Sequence, residues 1–510
     1  MLSKALGSVT IGTEAIKIEI EIDISSGLPG FYIGGLAESS VKESRERVKS
    51  AIKNSGYSFP TQKITANLAP ADIKKEGTGL DLPIALAVLC ASGIIEQNLL
   101  LKYMICGELS LDGSIRSTRG VLPIALLTKK EGLAGIICPK DNAKEAAVVK
   151  DIEVISALHL TEIVGFLQGT NKIDPLSISV EELFKSQDIE EPDFIEVVGQ
   201  DSAKRALEVA AAGSHNVLMI GPPGSGKTML ARRLPSILPN LSFEEALETT
   251  AIYSVAGLLP SEVPLITKRP FCAPHHTVSD AGMIGGGTFP KPGQVSLAHN
   301  GVLFLDELPE FKKNVLESLR QPLEDGFVTI SRASTTLKFP SRFTLIAAQN
   351  PCPCGFFGEK GKTCSCTPSQ IHRYTTKISG PLLDRIDIQI EVPAVAYNEL
   401  SSNTQGEPSK KIKQRIIKAR NIQQKRFKGL NIFSNAQMSV KEINRFCKLD
   451  NNAKKILEKT CNYLQLSARA YHRILKIART IADLEQASQI SQQHILEAVQ
   501  YRSLDRKAFI

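Results

Sequence analysis

From Ile16 to Ile24 apolar and charged residues alternate strictly, the period of a strand with one buried face. Between Ser39 and Asn54 the period changes: Val41, Val48 and Ile52 form a narrow stripe among charges, which predicts an amphipathic helix. Ile84 to Leu89 is an unbroken apolar run suited to a buried helix, Gly107 to Arg119 is rich in turn residues, Leu122 to Glu131 reads as helix and Ala134 to Cys138 as strand. This mixed α+β region is expected to span 1–168. Residues 169–194 carry Gly, Asn, Pro, Ser and an acidic run from Asp188 to Asp193, the composition of a linker. From Ile195, strand patterns at Val217 to Ile220, Gly301 to Leu305 and Phe343 to Ala348 alternate with helical ones, as in a parallel sheet covered on both faces. That α/β core is expected over 195–393, followed by a helical domain over 394–510.

The chain has 510 residues, 42% hydrophobic and 22% charged, with a formal net charge of +8. That length accommodates about three domains, and the charge permits an anionic partner without demanding one. The first ten residues lack a basic start and an apolar core, and the run Ile84 to Ile95 is too short to span a bilayer. A cytoplasmic protein with no membrane partner is the expectation. Lys410 to Lys428 holds nine Lys or Arg residues with Ile412, Ile416 and Ala419 on one face, which favours a solvated amphipathic helix over a nucleic-acid surface.

The segment Gly221-Pro222-Pro223-Gly224-Ser225-Gly226-Lys227-Thr228 follows the apolar run directly. This is a P-loop: glycines let backbone N–H groups wrap phosphates, Lys227 reaches the β and γ phosphates, and the Thr228 hydroxyl serves Mg²⁺. About eighty residues later, Val302 to Leu305 ends in Asp306-Glu307. There Asp306 is the candidate Mg²⁺ ligand and Glu307 the group that polarises the attacking water. Asn350, at the end of the next apolar run, either positions that water or caps the turn before Pro351.

Cys352, Cys354, Cys364 and Cys366 form two CxC pairs nine residues apart in a glycine-rich loop. Four thiolates can close a tetrahedral Zn²⁺ site; reduced free thiols are the even alternative. The other six cysteines are scattered and read as small buried residues. His275 and His276 are paired, but such histidines more often sit satisfied in a turn than bind metal.

The order of these motifs resembles the AAA+ superfamily, in particular the group that includes the magnesium chelatase ATPase subunit and the MCM helicases. By that resemblance Val198-Gly199-Gln200 packs on adenine, and Arg385, in Pro381-Leu382-Leu383-Asp384-Arg385, is an arginine finger reaching the nucleotide of a neighbouring subunit. A ring, most simply a homo-hexamer, is then implied. Asp384 or Asp387 offers Arg385 a local ion pair instead. Within Ser467 to Arg473, either Arg469 or Arg473 matches the sensor-2 arginine of the lid. The Gly/Pro-rich excursion from Pro274 to Gly293 and the hairpin-like Gly326 to Ser341 correspond to pore insertions, which makes Lys291, Arg332 and Lys338 candidate DNA-phosphate contacts.

In the first region, Val41 to Val48, Asn67-Leu68-Ala69-Pro70-Ala71-Asp72, Lys75-Glu76-Gly77 and Gly107-Glu108-Leu109-Ser110 resemble the Lon protease domain, which shares a ribosomal-protein-like fold. Gly79-Leu80-Asp81-Leu82-Pro83 stands where those proteases place Ser-Ala-Gly, and Gly120-Val121-Leu122 where the partner lysine is expected. The Ser-Lys dyad is therefore missing. From this start through Asn350-Pro351-Cys352-Pro353-Cys354-Gly355 to Pro381–Asp387, the whole chain resembles the YifB/ComM family of magnesium-chelatase-like proteins. ComM members look like DNA branch-migration motors of natural transformation, which implies ATP and Mg²⁺ as cofactors and branched or single-stranded DNA as partner. A chelatase-type motor or a protein remodeller is the alternative.

Overall fold

The computed structural model describes residues 1–185, 192–287, 290–331, 336–359, 361–394, 406–430 and 432–502. Two compact units emerge. The first comprises Met1–Gln187 together with Phe243–Thr267 and Ser331–Phe339, and the second comprises Asp188–Ser242, Lys268–Ile330 and Pro340–Ile510.

The first unit is built on a seven-stranded mixed sheet, in the order Gly30–Gly34, Lys63–Ala69, Glu14–Ser25, Leu2–Ile11, Tyr103–Ile105, Gly135–Pro139 and Glu153–Ala157. The alternating Ile16–Ile24 stretch lies inside Glu14–Ser25, antiparallel to Leu2–Ile11 on one side and to Lys63–Ala69 on the other. Its Ile18, Ile20 and Ile22 are fully buried. The helices Ser39–Asn54, Asp81–Ala91 and Val121–Lys130 follow the predicted runs, and every residue of Asp81–Ala91 is buried. Asp81, at the start of its helix, takes two hydrogen bonds from Arg47, at 2.7 and 3.0 Å. The stretch read as linker carries a short helix, Val180–Lys185.

The helix Phe243–Ala256 also belongs to this unit, although it follows the P-loop helix in sequence by only five residues. It is fixed by polar contacts: Ser254 Oγ donates to Glu145 Oε2 at 2.7 Å, and the Gly120 amide donates to the Ser254 carbonyl at 3.2 Å. Asn142 donates to the other Glu145 oxygen at 2.6 Å. Burial pushes the Glu145 carboxyl up, against these two hydrogen bonds.

The second unit contains a five-stranded sheet in the order Phe271–Cys272, Val302–Leu305, Thr344–Gln349, Val217–Ile220 and Ile388–Glu391. All neighbouring pairs are parallel, so the carboxyl ends of the strands share one edge, where ligands bind in open α/β sheets. Beyond it the chain is helical, with Ser409–Arg426, Asn451–Leu464, Ala468–Leu484 and Gln492–Gln500 as the longer elements. Ile412, Ile416 and Ala419 are buried on the first of these. Several of its basic residues are spent within the unit: Arg415 pairs with Glu208 and Glu407, and Arg426 with Asp483. No helix among the described residues is long and apolar enough to cross a membrane.

Candidate nucleotide-binding site

The strand Val217–Ile220 is buried and empties into the loop 221–226, from which the helix Lys227–Ile237 starts. Gly226 caps that helix with φ +89°, a left-handed conformation that a side chain would strain. The helix points its first N–H groups and its positive dipole end out of the loop, an arrangement suited to phosphate. Lys227, 8% exposed, donates to the carbonyls of Gly221 and Pro222 at 2.7 and 2.8 Å and to Asn350 Oδ1 at 3.2 Å. Burial lowers the pKa of its ammonium, with Asp306 and Glu307 acting in the opposite direction. The Ser225 hydroxyl, in the same loop, is buried without a hydrogen-bond partner, a donor a phosphate would satisfy.

Thr228 Oγ1 donates to Asp306 Oδ2 at 2.6 Å, which brings together the hydroxyl and carboxylate expected to serve Mg²⁺. Both are hard oxygen ligands, the kind magnesium takes. Glu307 follows with φ +51° and donates its amide to Asp306 Oδ1 at 3.0 Å. A glutamate in the left-handed region is uncommon and belongs to sites where the surroundings fix it. His276 stands beside it, with Nδ1 3.6 Å from Glu307 Oε2, and packs against His275 and the edge of Phe311. The histidine pair, noted in sequence only as a possible turn or metal feature, thus borders the acidic pair.

Gln200 has φ +57° and donates to the carbonyls of Ser225, at 3.3 Å, and Pro393, at 2.7 Å, so the Val198-Gly199-Gln200 segment is tied to the P-loop. Lys227, Thr228, Asp306, Glu307, Asn350 and Gln200 are thereby brought together at one sheet edge.

Arg385 is elsewhere. It precedes the strand Ile388–Glu391, whose first residue pairs with Val217 and whose last pairs with Ile220; the finger segment therefore enters at the sheet edge opposite the P-loop. Arg385 donates to the Pro381 carbonyl at 2.8 Å and forms an ion pair with Glu324, not with Asp384 or Asp387. Those aspartates pair with the two lid arginines instead: Arg469 with Asp384 at 3.2 Å and Arg473 with Asp387 at 3.5 Å. Arg473 also donates to the Ile386 carbonyl at 3.2 Å. Both sensor-2 candidates accordingly lie with the finger segment of their own chain. Asn216, which sequence reasoning passed over, donates to the Arg385 carbonyl at 2.9 Å and accepts from the Leu345 amide at 2.8 Å. A lone Asn ahead of an apolar run carries no local signal of such a role.

Lys291 is exposed in a small antiparallel hairpin, Gly285–Gly286 against Lys291–Pro292. Lys338 lies on the strand Thr336–Pro340, in a segment that groups with the first unit, whereas Lys291 groups with the second. Arg332 lies outside the described residues.

The four clustered cysteines converge, with all four Sγ atoms within 4.8 Å of one another. Cys352 to Cys354, Cys352 to Cys364 and Cys354 to Cys364 measure 3.4, 3.7 and 3.5 Å. A disulfide requires about 2.05 Å, whereas a tetrahedron with Zn–S near 2.3 Å has edges of roughly 3.8 Å. None of the four is joined in a disulfide, and the donor set fits zinc.

Comparison with known proteins agrees along the chain. Residues 193–400 match the family model described as magnesium chelatase, subunit ChlI; residues 20–142 match that for the ChlI subunit of Mg-chelatase, and 406–502 its C-terminal model. The chain is 45% identical over 503 residues to the Competence protein ComM of Haemophilus influenzae, covering 98% of this chain and 96% of that protein. It is 46% identical over 503 residues to YifB of Escherichia coli, with 97% and 96% covered. A shorter likeness, 31% over 162 residues, relates 29% of the chain to 28% of Lon protease 2 of Bacillus subtilis. With a P-loop, an acidic strand end and relatives at this identity along nearly its whole length, the chain belongs to the YifB/ComM family of magnesium-chelatase-like AAA+ ATPases.

Proposed function

We propose that the protein is an ATP-driven, ring-forming DNA motor that branch-migrates recombination intermediates, as in natural transformation. One observation carries the reading: Arg385 stands at the sheet edge opposite the P-loop of its own chain. Three strand steps at about 3.3 Å put the two edges roughly 10 Å apart, and Arg385 lies further out still, so its guanidinium serves a nucleotide on a neighbouring subunit. This supports a closed ring, most simply a hexamer.

In each site Lys227 and the loop amides hold ATP, Thr228 and Asp306 hold Mg²⁺, Glu307 accepts the proton of the attacking water and Asn350 orients it. Held there, Mg²⁺ would supply charge neutralisation as negative charge develops on the phosphate. Gln200 belongs to the adenine side. Arg469 and Arg473 hold the finger segment through Asp384, Asp387 and Ile386, so the lid and the finger move together. Lys291 presents a charge to a DNA phosphate, with Arg332 and Lys338 as further candidates, and Cys352, Cys354, Cys364 and Cys366 hold Zn²⁺. The ComM relative supports DNA as the object of the work, while the magnesium-chelatase models keep chelatase-type or protein remodelling as the competing outcome.

The deciding experiment is branch migration of a synthetic four-way junction with hydrolysable and non-hydrolysable ATP, run beside ATPase assays with forked DNA, unstructured protein or neither. Junction migration that needs hydrolysis, and turnover raised by DNA, are expected. Turnover raised only by protein would overturn the DNA reading.

A further inference from the structure

We propose that the four-cysteine loop is a positioning element for ATP hydrolysis whose metal occupancy sets the turnover rate. The inference deepens the nucleotide-site reading above and rests on it.

Two contacts join the loop to that site. The strand Thr344–Gln349 is buried throughout; Asn350 follows it, accepting from Lys227 at 3.2 Å, and after a single intervening residue comes the fully buried Cys352. Asn350 is therefore held between a rigid strand end and the first thiolate. On the other side of the turn, the Gly355 amide donates to the Cys352 carbonyl at 3.0 Å, and Gly355 has φ +86°. A Cβ built at Gly355 would lie 2.4 and 2.6 Å from Cδ and Cγ of Pro223, in the P-loop. Backbone conformation and space both require glycine, because the turn is seated directly on the P-loop.

Among the described residues between the CxC pairs, little apolar packing holds this seat. Gly358 and Gly361 also have positive φ, at +80° and +84°, and Phe357 is 54% exposed. What fixes the loop is the meeting of four sulfur atoms, and a tetrahedral zinc ion there locks them. With the metal bound, Asn350 and Pro223 are both fixed. Without it, the water-orienting amide loses one of its two anchors and the P-loop loses a wall. The protein groups that carry phosphate binding, Lys227 and the loop amides, stay in place. Loss of metal then lowers kcat much more than it lowers nucleotide affinity.

The test uses the full-length protein. Zinc content is measured, the metal is removed with a chelator and restored, and cobalt is exchanged in to read the thiolate-to-metal charge-transfer band. Alongside, kcat, KM, the Kd of a fluorescent ADP analogue and far-ultraviolet circular dichroism are followed. Metal removal is expected to lower kcat by about tenfold or more, with the Kd within about threefold and the dichroism unchanged, and zinc is expected to restore turnover. Gly355→Ala provides a second route: it should lower kcat while keeping its zinc. The inference is overturned by purified protein holding less than about half an equivalent of metal, by an unchanged kcat after metal loss, by kcat, affinity and dichroism collapsing together, or by a Gly355→Ala variant with wild-type kcat. Wild-type hydrolysis in Lys227→Ala would instead bring down the nucleotide-site reading, so the two failures are distinguishable.

Discussion

Thr228 Oγ1 donates a 2.6 Å hydrogen bond to Asp306 Oδ2, joining the P-loop helix to the end of the acidic strand across 78 residues of sequence. Asp306→Asn keeps the shape and an acceptor oxygen but loses the charge proposed to hold Mg²⁺. ATP hydrolysis should fall by about two orders of magnitude or more, with the magnesium requirement shifted to higher concentration in a titration of rate against Mg²⁺. Lys227→Ala should abolish turnover, and Thr228→Ala should fall in between.

The ion pair of Arg385 with Glu324 joins a largely buried guanidinium to a carboxylate that is 67% exposed. A pair so open to solvent is worth at most about 1 kcal/mol, so it does not keep Arg385 from a stronger anionic partner. Arg385→Ala and Glu307→Gln should each be nearly inactive alone. Mixed in one ring they should partly recover, because an intact finger then meets an intact acidic pair at some interfaces. Hydrolysis measured across mixing ratios would show a maximum at intermediate composition; a flat profile would place Arg385 in its own site.

Asp387 anchors the finger segment from below: His215 Nδ1 lies 3.2 Å from its carboxylate, and His215 Nε2 reaches Thr480 at 2.8 Å. Burial alone would raise the Asp387 pKa, but the His215 hydrogen bond and charge, together with Arg473 and Lys476, hold it at about 2. A carboxyl depressed in the fold stabilises it above the ordinary aspartate range, and that contribution is lost as pH falls from about 4 through about 2. Asp387→Asn should therefore cost on the order of 2 kcal/mol near neutrality and progressively less below pH 4. Urea midpoints of the two proteins should converge as the pH falls.

Glu145 behaves oppositely. Burial, against the hydrogen bonds of Ser254 and Asn142, raises its pKa above the usual carboxylate range. The folded state then favours the protonated form, and stability declines as pH rises through the elevated value. Glu145→Gln removes the charge and leaves groups able to bond both partners. Its melting temperature should exceed that of the wild type at pH 8 and match it at acidic pH; a lower value at pH 8 would mean that the ionised carboxylate is the stabilising form.

What the sequence reveals and what it hides follow from the range of the interactions. The strand carrying Ile18, Ile20 and Ile22, the helices around Val48 and Leu86, and the P-loop each announce themselves in contiguous residues, because period and turn chemistry are local. The short strands Tyr103–Ile105 and Glu153–Ala157 went unread; a few apolar residues are ambiguous until a neighbouring strand supplies their hydrogen bonds. The pairing of Arg385 with Glu324 and the approach of His276 to Glu307 were equally invisible, since isolated polar residues give no periodic signal.

By itself, then, the sequence determined the kinds of groups at the nucleotide site and their placement on strand ends: Lys227, Thr228, Asp306, Glu307 and Asn350 are fixed by motifs a few residues long. Only the tertiary structure decided which edge each side chain occupies. Parallel pairing of Val217 with Ile388 sends Arg385 to the far edge, the four sulfurs meet only because Cys364 and Cys366 come back onto Cys352 and Cys354, and Gly355 touches Pro223 across 132 residues. Local propensity depends on neighbours in sequence, whereas strand order and loop seating depend on contacts between segments that no short window contains.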